Sequence, residues 1–153
     1  MEEKRAQYAA LAAQIQALLD GEDDWICAMA NVSAAIFDML PELNWAGFYR
    51  VKDGNLILGP FQGKVACTRI AAGKGVCGTA LATGESQLVP DVHAFPGHIA
   101  CDSASNSEVV VPLRGADGQI CAVLDIDSPV LGRFDETDLQ GFEAIGAIVE
   151  TVL

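Results

Sequence analysis

Apolar residues recur at helical spacing from the start of this chain. Tyr8, Leu11, Ala12, Ile15, Leu18 and Leu19 fall on one stripe, and Gly21 ends it. A second stripe runs through Trp25, Ala28, Met29, Val32, Ile36 and Met39, opened by Asp23 and Asp24 and closed by Pro41. The period then changes to two. Trp45, Gly47, Tyr49 and Val51 alternate with Ala46, Phe48 and Arg50, KDGN offers a tight turn, and LILGPF begins the return strand of a predicted hairpin. A short strand is expected over 68–71. AAGKGVCGTALATGE predicts a glycine-rich loop running into a short helix, and 87–90 an extended piece.

Residues 91–107 show neither period. They hold both histidines, Pro96, Cys101 and the polar run DSASNS, and so predict a long loop of the kind that usually carries function. Strands are predicted over 108–113 and 119–127, joined by RGADG. A last helix follows over 135–153, with Asp135 as N-cap and Leu139, Phe142, Ile145, Ile148 or Val149, and Val152 toward the core. This order predicts an α+β fold of one domain spanning 1–153. An antiparallel sheet carries the long helices on one face and a ligand pocket on the other.

Composition narrows the function. Lys and Arg number 9 against 21 Asp and Glu, a net charge of −12, which disfavours nucleic acid and anionic membrane surfaces as partners. The first residues are acidic and then amphipathic, unlike a secretory signal. No run approaches the ~20 apolar residues that cross a bilayer. A cytoplasmic location is therefore expected. Five cysteines in a reducing compartment point to transient redox use, not to structural bridges.

Three of those cysteines, Cys67, Cys77 and Cys101, sit among Gly, Lys, His, Asp and Ser, the polar setting of reactive thiols. None of their spacings is that of a zinc knuckle, and no metal or cofactor is expected. Cys77 opens the short predicted helix. The helix dipole could lower its thiol pKa there, or the thiol could simply be buried at the helix start. GKGVCGT lacks the Lys of a phosphate loop, since Thr79 occupies that place. A Cys101–His98 pair would suit a cysteine hydrolase, but a loop histidine is more often a hydrogen-bonding strut. Cys27 and Cys121 have more apolar neighbours and are expected to be structural.

In ICAVLDIDS, alternation puts Asp125 and Asp127 on one face with Cys121 and Val123. Ile120, Ala122, Leu124 and Ile126 form an apolar face suited to helices. If RGADG pairs the two strands, Glu108 lies near the aspartates. Three carboxyls in a concave pocket do not all ionise readily. The alternative is a solvated sheet face. Trp45 and Tyr49 share a face of their strand, as core or as an aromatic wall beside the acids.

LGPFQGKVACTRI, GKGVCGTA, DVHAFPGHIACDSASNSEVVVPL and AVLDIDSP together resemble the free methionine-(R)-sulfoxide reductases, small GAF-domain proteins. The resemblance runs from NWAGFY at Asn44 to the last helix. It implies Cys101 as the catalytic thiol, Cys67 as the thiol that resolves its sulfenic acid, and Cys77 as an auxiliary. It further implies Glu108, Asp125 and Asp127 as substrate-binding acids, with Glu108 and Asp127 serving the chemistry as well, and Trp45 and Tyr49 as the aromatic wall. The partners implied are free methionine-R-sulfoxide and a thioredoxin-like reductant, with a homodimer left open. Cys121 departs from the Gly expected at its position. The competing expectation is a non-catalytic GAF module that binds a small molecule or senses redox state.

Overall fold

The computed structural model describes residues 1–99 and 101–153. Six strands form one antiparallel sheet in the order β3-β2-β1-β6-β5-β4. They are β1 (Trp45–Lys52), β2 (Asn55–Gly63), β3 (Arg69–Ile70), β4 (Gln87–Val89), β5 (Ser107–Arg114) and β6 (Ile120–Ser128). Helices α1 (Glu2–Leu18), α2 (Trp25–Met39) and α4 (Glu136–Glu150) cover one face, and α3 (Gly75–Thr83) lies on the other. The α+β expectation holds, with long helices on one side and a cavity on the other.

Local chemistry fixes the boundaries. Asp24 caps α2, its Oδ1 accepting the N–H groups of Ile26 at 2.8 Å and Cys27 at 3.2 Å. Asp135 and Asp138 form a reciprocal capping box at the start of α4. In the β1–β2 turn, Asp53 and Gly54 both take left-handed φ, 52° and 79°, which suits the right-handed twist of the hairpin.

The apolar face predicted for β6 is real. Ala122, Leu124 and Ile126 are buried with Phe48, Val109 and Val111 beneath the three long helices. Leu11 and Ile15 of α1 and Phe142, Ile145 and Val149 of α4 complete this layer. Leu18 does not join it: the last turn of α1 lifts it clear, leaving it 47% exposed, while Leu19 turns inward. Tyr8 packs edge-on against Phe142 and lies over Gly141, where a Cβ would collide with the ring. Its hydroxyl donates to the buried Asp138 carboxylate at 2.7 Å, which also accepts from Lys4 at 2.8 Å and Arg133 at 3.3 Å. A buried acid with three such donors ties α1 to α4 and holds the helical layer in register with the sheet.

Candidate functional site

The other face of the sheet is built from the positions that alternate with this core. Register places Glu108 directly opposite Asp127, Val110 opposite Asp125, and Trp45 opposite Asp127. The three acids therefore project from the centre of the sheet beside Trp45. Glu108 and Asp125 are buried, at 7% and 5% exposure, and Asp127 is half-buried.

The aromatic wall depends on Gly47. It lies between Trp45 and Tyr49 on their face, next to a β-bulge, and a Cβ there would strike Phe61. Without that side chain, Trp45 stacks on Phe61 at 5.0 Å and on Tyr49 at 5.8 Å between ring centroids. Both aromatics also anchor backbone. Trp45 Nε1 donates to the Lys64 carbonyl at 3.2 Å, and the Tyr49 hydroxyl to the Cys67 carbonyl at 2.9 Å. The wall thus fixes the segment that carries Cys67.

Cys67 is joined to Cys101 by a disulfide, with their Cα atoms 5.4 Å apart. The bond closes the 91–107 segment over the sheet. The described residues of that segment are mostly loop, as expected, with a short 3₁₀ turn at Val92–Ala94. Beneath it is a cavity lined by Trp45, Tyr49, Ala66, Ile70, Cys77, His98, Ile99, Cys101, Asp102, Ser105, Glu108, Asp125 and Asp127. Cys27, Cys77 and Cys121 are free. Cys27 is exposed, and Cys121 is half-buried against the helical layer, not on the acid-bearing face that alternation assigned to it: a register shift between Leu113 and Arg114 makes Cys121 a bulge, and Ile120 turns toward the end of α3 instead. Of the site residues expected from the sequence, Trp45, Tyr49, Cys77, Cys101, Glu108, Asp125 and Asp127 line this one cavity, and Cys67 is tied to it through its bond to Cys101.

Cys77 settles between its two alternatives. It lies in the first turn of α3, but buried, with Sγ 3.9 Å from Glu108 Oε2. Burial pushes its thiol up, and the charges of Asp125, Glu108 and Asp127 push it further. A helix terminus contributes about 0.3–1 kcal/mol, too little to offset desolvation beside three acids. Cys77 is therefore a poor thiolate in this state.

The acids respond to the same surroundings. Burial raises the Glu108 and Asp127 carboxyls well above their ordinary range, with the Asp125 charge adding to both; burial also raises Asp125. Asp125 Oδ1 and Asp127 Oδ1 have no hydrogen-bond donor among the described residues. What lies beside Asp125 is Glu108, Asp127 and Cys77. Apart from the weak Cys77 S–H and solvent, a proton shared between acids or an incoming cationic group can serve those oxygens.

A carboxyl whose pKa rises on folding gives stability that is complete below its unfolded value, about 4.3 for Glu, and lost as pH rises through the folded value. Glu108→Gln, fixed in the neutral form, escapes that loss. With the disulfide closed, it should melt above wild type at about pH 8, and the gap should narrow as pH falls and close only at or below about pH 4. Differential scanning calorimetry reads this directly. An equal difference at both pH values would mean that Glu108 holds no extra proton.

The sequence did not single out the latch behind Cys101. The Asn44 side-chain amide donates to Asp102 Oδ2 and to Ser105 Oγ, each at 2.9 Å, and its own N–H donates to the Asp127 carbonyl at 3.0 Å. The Ala104 N–H and the Asn44 amide hold the Asp102 carboxyl below its usual range. The pair pins the Cys101 loop to the start of β1. The signal was present in Asn44, immediately before the first alternating strand, and in the polar run after Cys101. His98 also lines the cavity, and burial, with His93 beside it, lowers its pKa. It makes no hydrolase pair, because Cys101 is bonded to Cys67.

An antiparallel six-stranded sheet with helices behind it and a loop-covered cavity in front defines a GAF domain, and the GAF domain family model matches residues 29–153. The free methionine-R-sulfoxide reductase of Escherichia coli is 53% identical over 146 residues, covering 95% of this chain and 88% of that protein. The structure of the free methionine-R-sulfoxide reductase of Neisseria meningitidis in complex with its substrate superposes with a TM-score of 0.93 at 44% identity, covering 97% of this chain and 89% of that one. The reduced form of fRMsr of Staphylococcus aureus gives a TM-score of 0.92 at 49% identity, with coverages of 95% and 94%. This chain belongs to the free methionine-R-sulfoxide reductase family.

Proposed function

We propose that this protein reduces free L-methionine-(R)-S-oxide to methionine, with Cys101 as nucleophile and Cys67 as resolving thiol. The observation that carries this reading is the Cys67–Cys101 disulfide placed across a cavity floored by Glu108, Asp125 and Asp127. In the dithiol state, the Cys101 thiolate attacks the sulfoxide sulfur. The S–O bond must break with its oxygen protonated, and a carboxyl that keeps its proton at neutral pH, Glu108 or Asp127, is suited to donate it. The protonated oxygen passes from the substrate sulfur to Cys101 as the transient bond between the two sulfurs breaks, so methionine leaves and Cys101 becomes a sulfenic acid; the Cys67 thiol condenses with it to give the disulfide and water. An external dithiol of the thioredoxin class then restores both thiols.

Asp125 and the remaining ionised acid bind the substrate α-ammonium, supplying the cationic partner their orphaned oxygens lack. Trp45 and Tyr49 face the methyl and thioether end. Neighbouring carboxylates oppose a thiolate; the bound ammonium and the retained proton relieve that repulsion. Peptide-bound sulfoxide has no free ammonium and carries chain on both sides, so it fits this enclosed site poorly. Cys77 serves at most as an auxiliary thiol, being raised and buried. A cytoplasmic location suits a cycle that needs a dithiol reductant, and two copies pairing as a homodimer is compatible with it.

The test is incubation with racemic free methionine sulfoxide and dithiothreitol, followed by chiral amino-acid analysis. The R epimer should be consumed, leaving the S epimer, and a sulfoxide-containing protein should be spared. Comparable turnover of the protein substrate would overturn the specificity. Absence of methionine would leave a binding or redox-sensing module as the better account.

A further inference from the structure

Cys77 has a place in the cavity that the proposed chemistry does not use. It lies on α3, while Glu108 and Asp125 lie on β5 and β6, so their chain spacing shows no metal-ligand pattern. Folding nevertheless brings one ligand atom from each within 4.8 Å of the others. All three side chains are more than nine-tenths buried, with Cys77 at 4%, Glu108 at 7% and Asp125 at 5% exposure. An independent sign of a missing cationic partner is Asp125 Oδ1, buried and without a donor among the described residues.

We propose that Cys77, Glu108 and Asp125 form a site for one thiophilic divalent cation of the zinc and cadmium class, which takes the place of the substrate ammonium and blocks turnover. The binding stands on the geometry alone; the blocking rests on the proposed reductase reading. Cys77 Sγ and Glu108 Oε2 are 3.9 Å apart. A tetrahedral zinc ion, with Zn–S about 2.3 Å and Zn–O about 2.0 Å, spans about 3.5 Å between such ligands. Small side-chain adjustments close the difference. The thiolate sulfur favours zinc or cadmium over magnesium or calcium, whose preference is for oxygen. Three ligands leave a fourth position to solvent or to Asp127. On binding, the thiol proton and any proton shared between the two acids pass to solvent, and no electrons are transferred. An α-ammonium brings one positive charge to the same carboxylates and no bond to sulfur, so the cation competes with it directly.

The experiment uses the full chain carrying Cys27→Ser and Cys121→Ser with the Cys67–Cys101 disulfide closed, which leaves Cys77 as the free thiol. Cadmium chloride is titrated, and thiolate-to-cadmium charge-transfer absorption is read in the ultraviolet. One cadmium per chain is expected, with the band abolished by adding Cys77→Ser. Glu108→Gln and Asp125→Asn should each weaken binding by more than the about 10–100-fold that removal of an outer-shell group costs. Zinc should displace the cadmium, and free methionine should weaken its binding. Circular dichroism identifies any variant that fails to fold, and the two acid variants keep the test independent of Cys77→Ser. No band, or a band indifferent to both acid variants, would overturn the site. Binding unaffected by methionine would overturn its overlap with the ammonium position. A chain that binds cadmium here but reduces no sulfoxide would sink the reductase reading and leave the cation site standing.

Discussion

Cys101→Ser should release no methionine even in a single turnover. Cys67→Ser should release about one per chain and then stop, because its loss blocks only the disulfide step. The two variants differ because the thiols do. Cys101 closes the cavity from the loop above it, beside the Asn44–Asp102 latch, whereas Cys67 is held from the side by the Tyr49 hydroxyl. Cys77 cannot substitute, since burial and three acids suppress its thiolate. In Cys67→Ser, the sulfenic acid left on Cys101 should be trapped by a dimedone-type reagent and seen by mass spectrometry. Cys27→Ser and Cys121→Ser should turn over like wild type, because neither lines the cavity. A methionine burst from Cys101→Ser and none from Cys67→Ser would mean the two roles are reversed.

The second large effect concerns the acids. Glu108→Gln, Asp125→Asn and Asp127→Asn should each lower kcat/KM by about 100- to 1,000-fold, the about 2.7–4 kcal/mol that losing one transition-state hydrogen bond costs at comparable sites. Each change keeps shape and removes a charge or a transferable proton. For Glu108→Gln, stability and activity should move in opposite directions near neutral pH, because the amide relieves a buried acid cluster while ending its chemistry. Steady-state kinetics alongside thermal melting separates this from simple damage to the fold. Near-normal kinetics in all three would mean the acids only line the cavity.

The sheet was legible because its period is legible. Trp45 to Val51 and Ala122 to Asp127 alternate, so the acid-bearing and aromatic faces follow from the sequence; Cys121 breaks the pattern because a bulge at the start of β6 turns it to the helical side. Pairing through RGADG put Glu108 near Asp125 or Asp127, and the register sets it opposite Asp127. The helical stripes also carried through, except at Leu18, where a helix end frays from its pattern. Thiol pairing was less accessible. Cysteine spacing alone does not choose partners, and Cys67–Cys101 followed only from the family resemblance. The burial of Cys77 was one of two readings the sequence left open, because a helix start next to glycines fits an exposed, dipole-activated thiol equally well. In the fold, Gly78 packs so closely on Ala71 and Gly73 that α3 drops onto the acids. The Asn44 latch joins residues far apart in the chain, and a single Asn before a strand carries no periodic signal.

Fully reduced protein given one equivalent of free methionine-R-sulfoxide, without reductant, tests the central claim most directly. Peptide mapping then locates any new disulfide, and amino-acid analysis counts the methionine. The account predicts one Cys67–Cys101 disulfide for each methionine formed, with Cys27, Cys77 and Cys121 still free. Methionine formed with Cys67 and Cys101 both still reduced, or with the disulfide made to Cys77 instead, would contradict it.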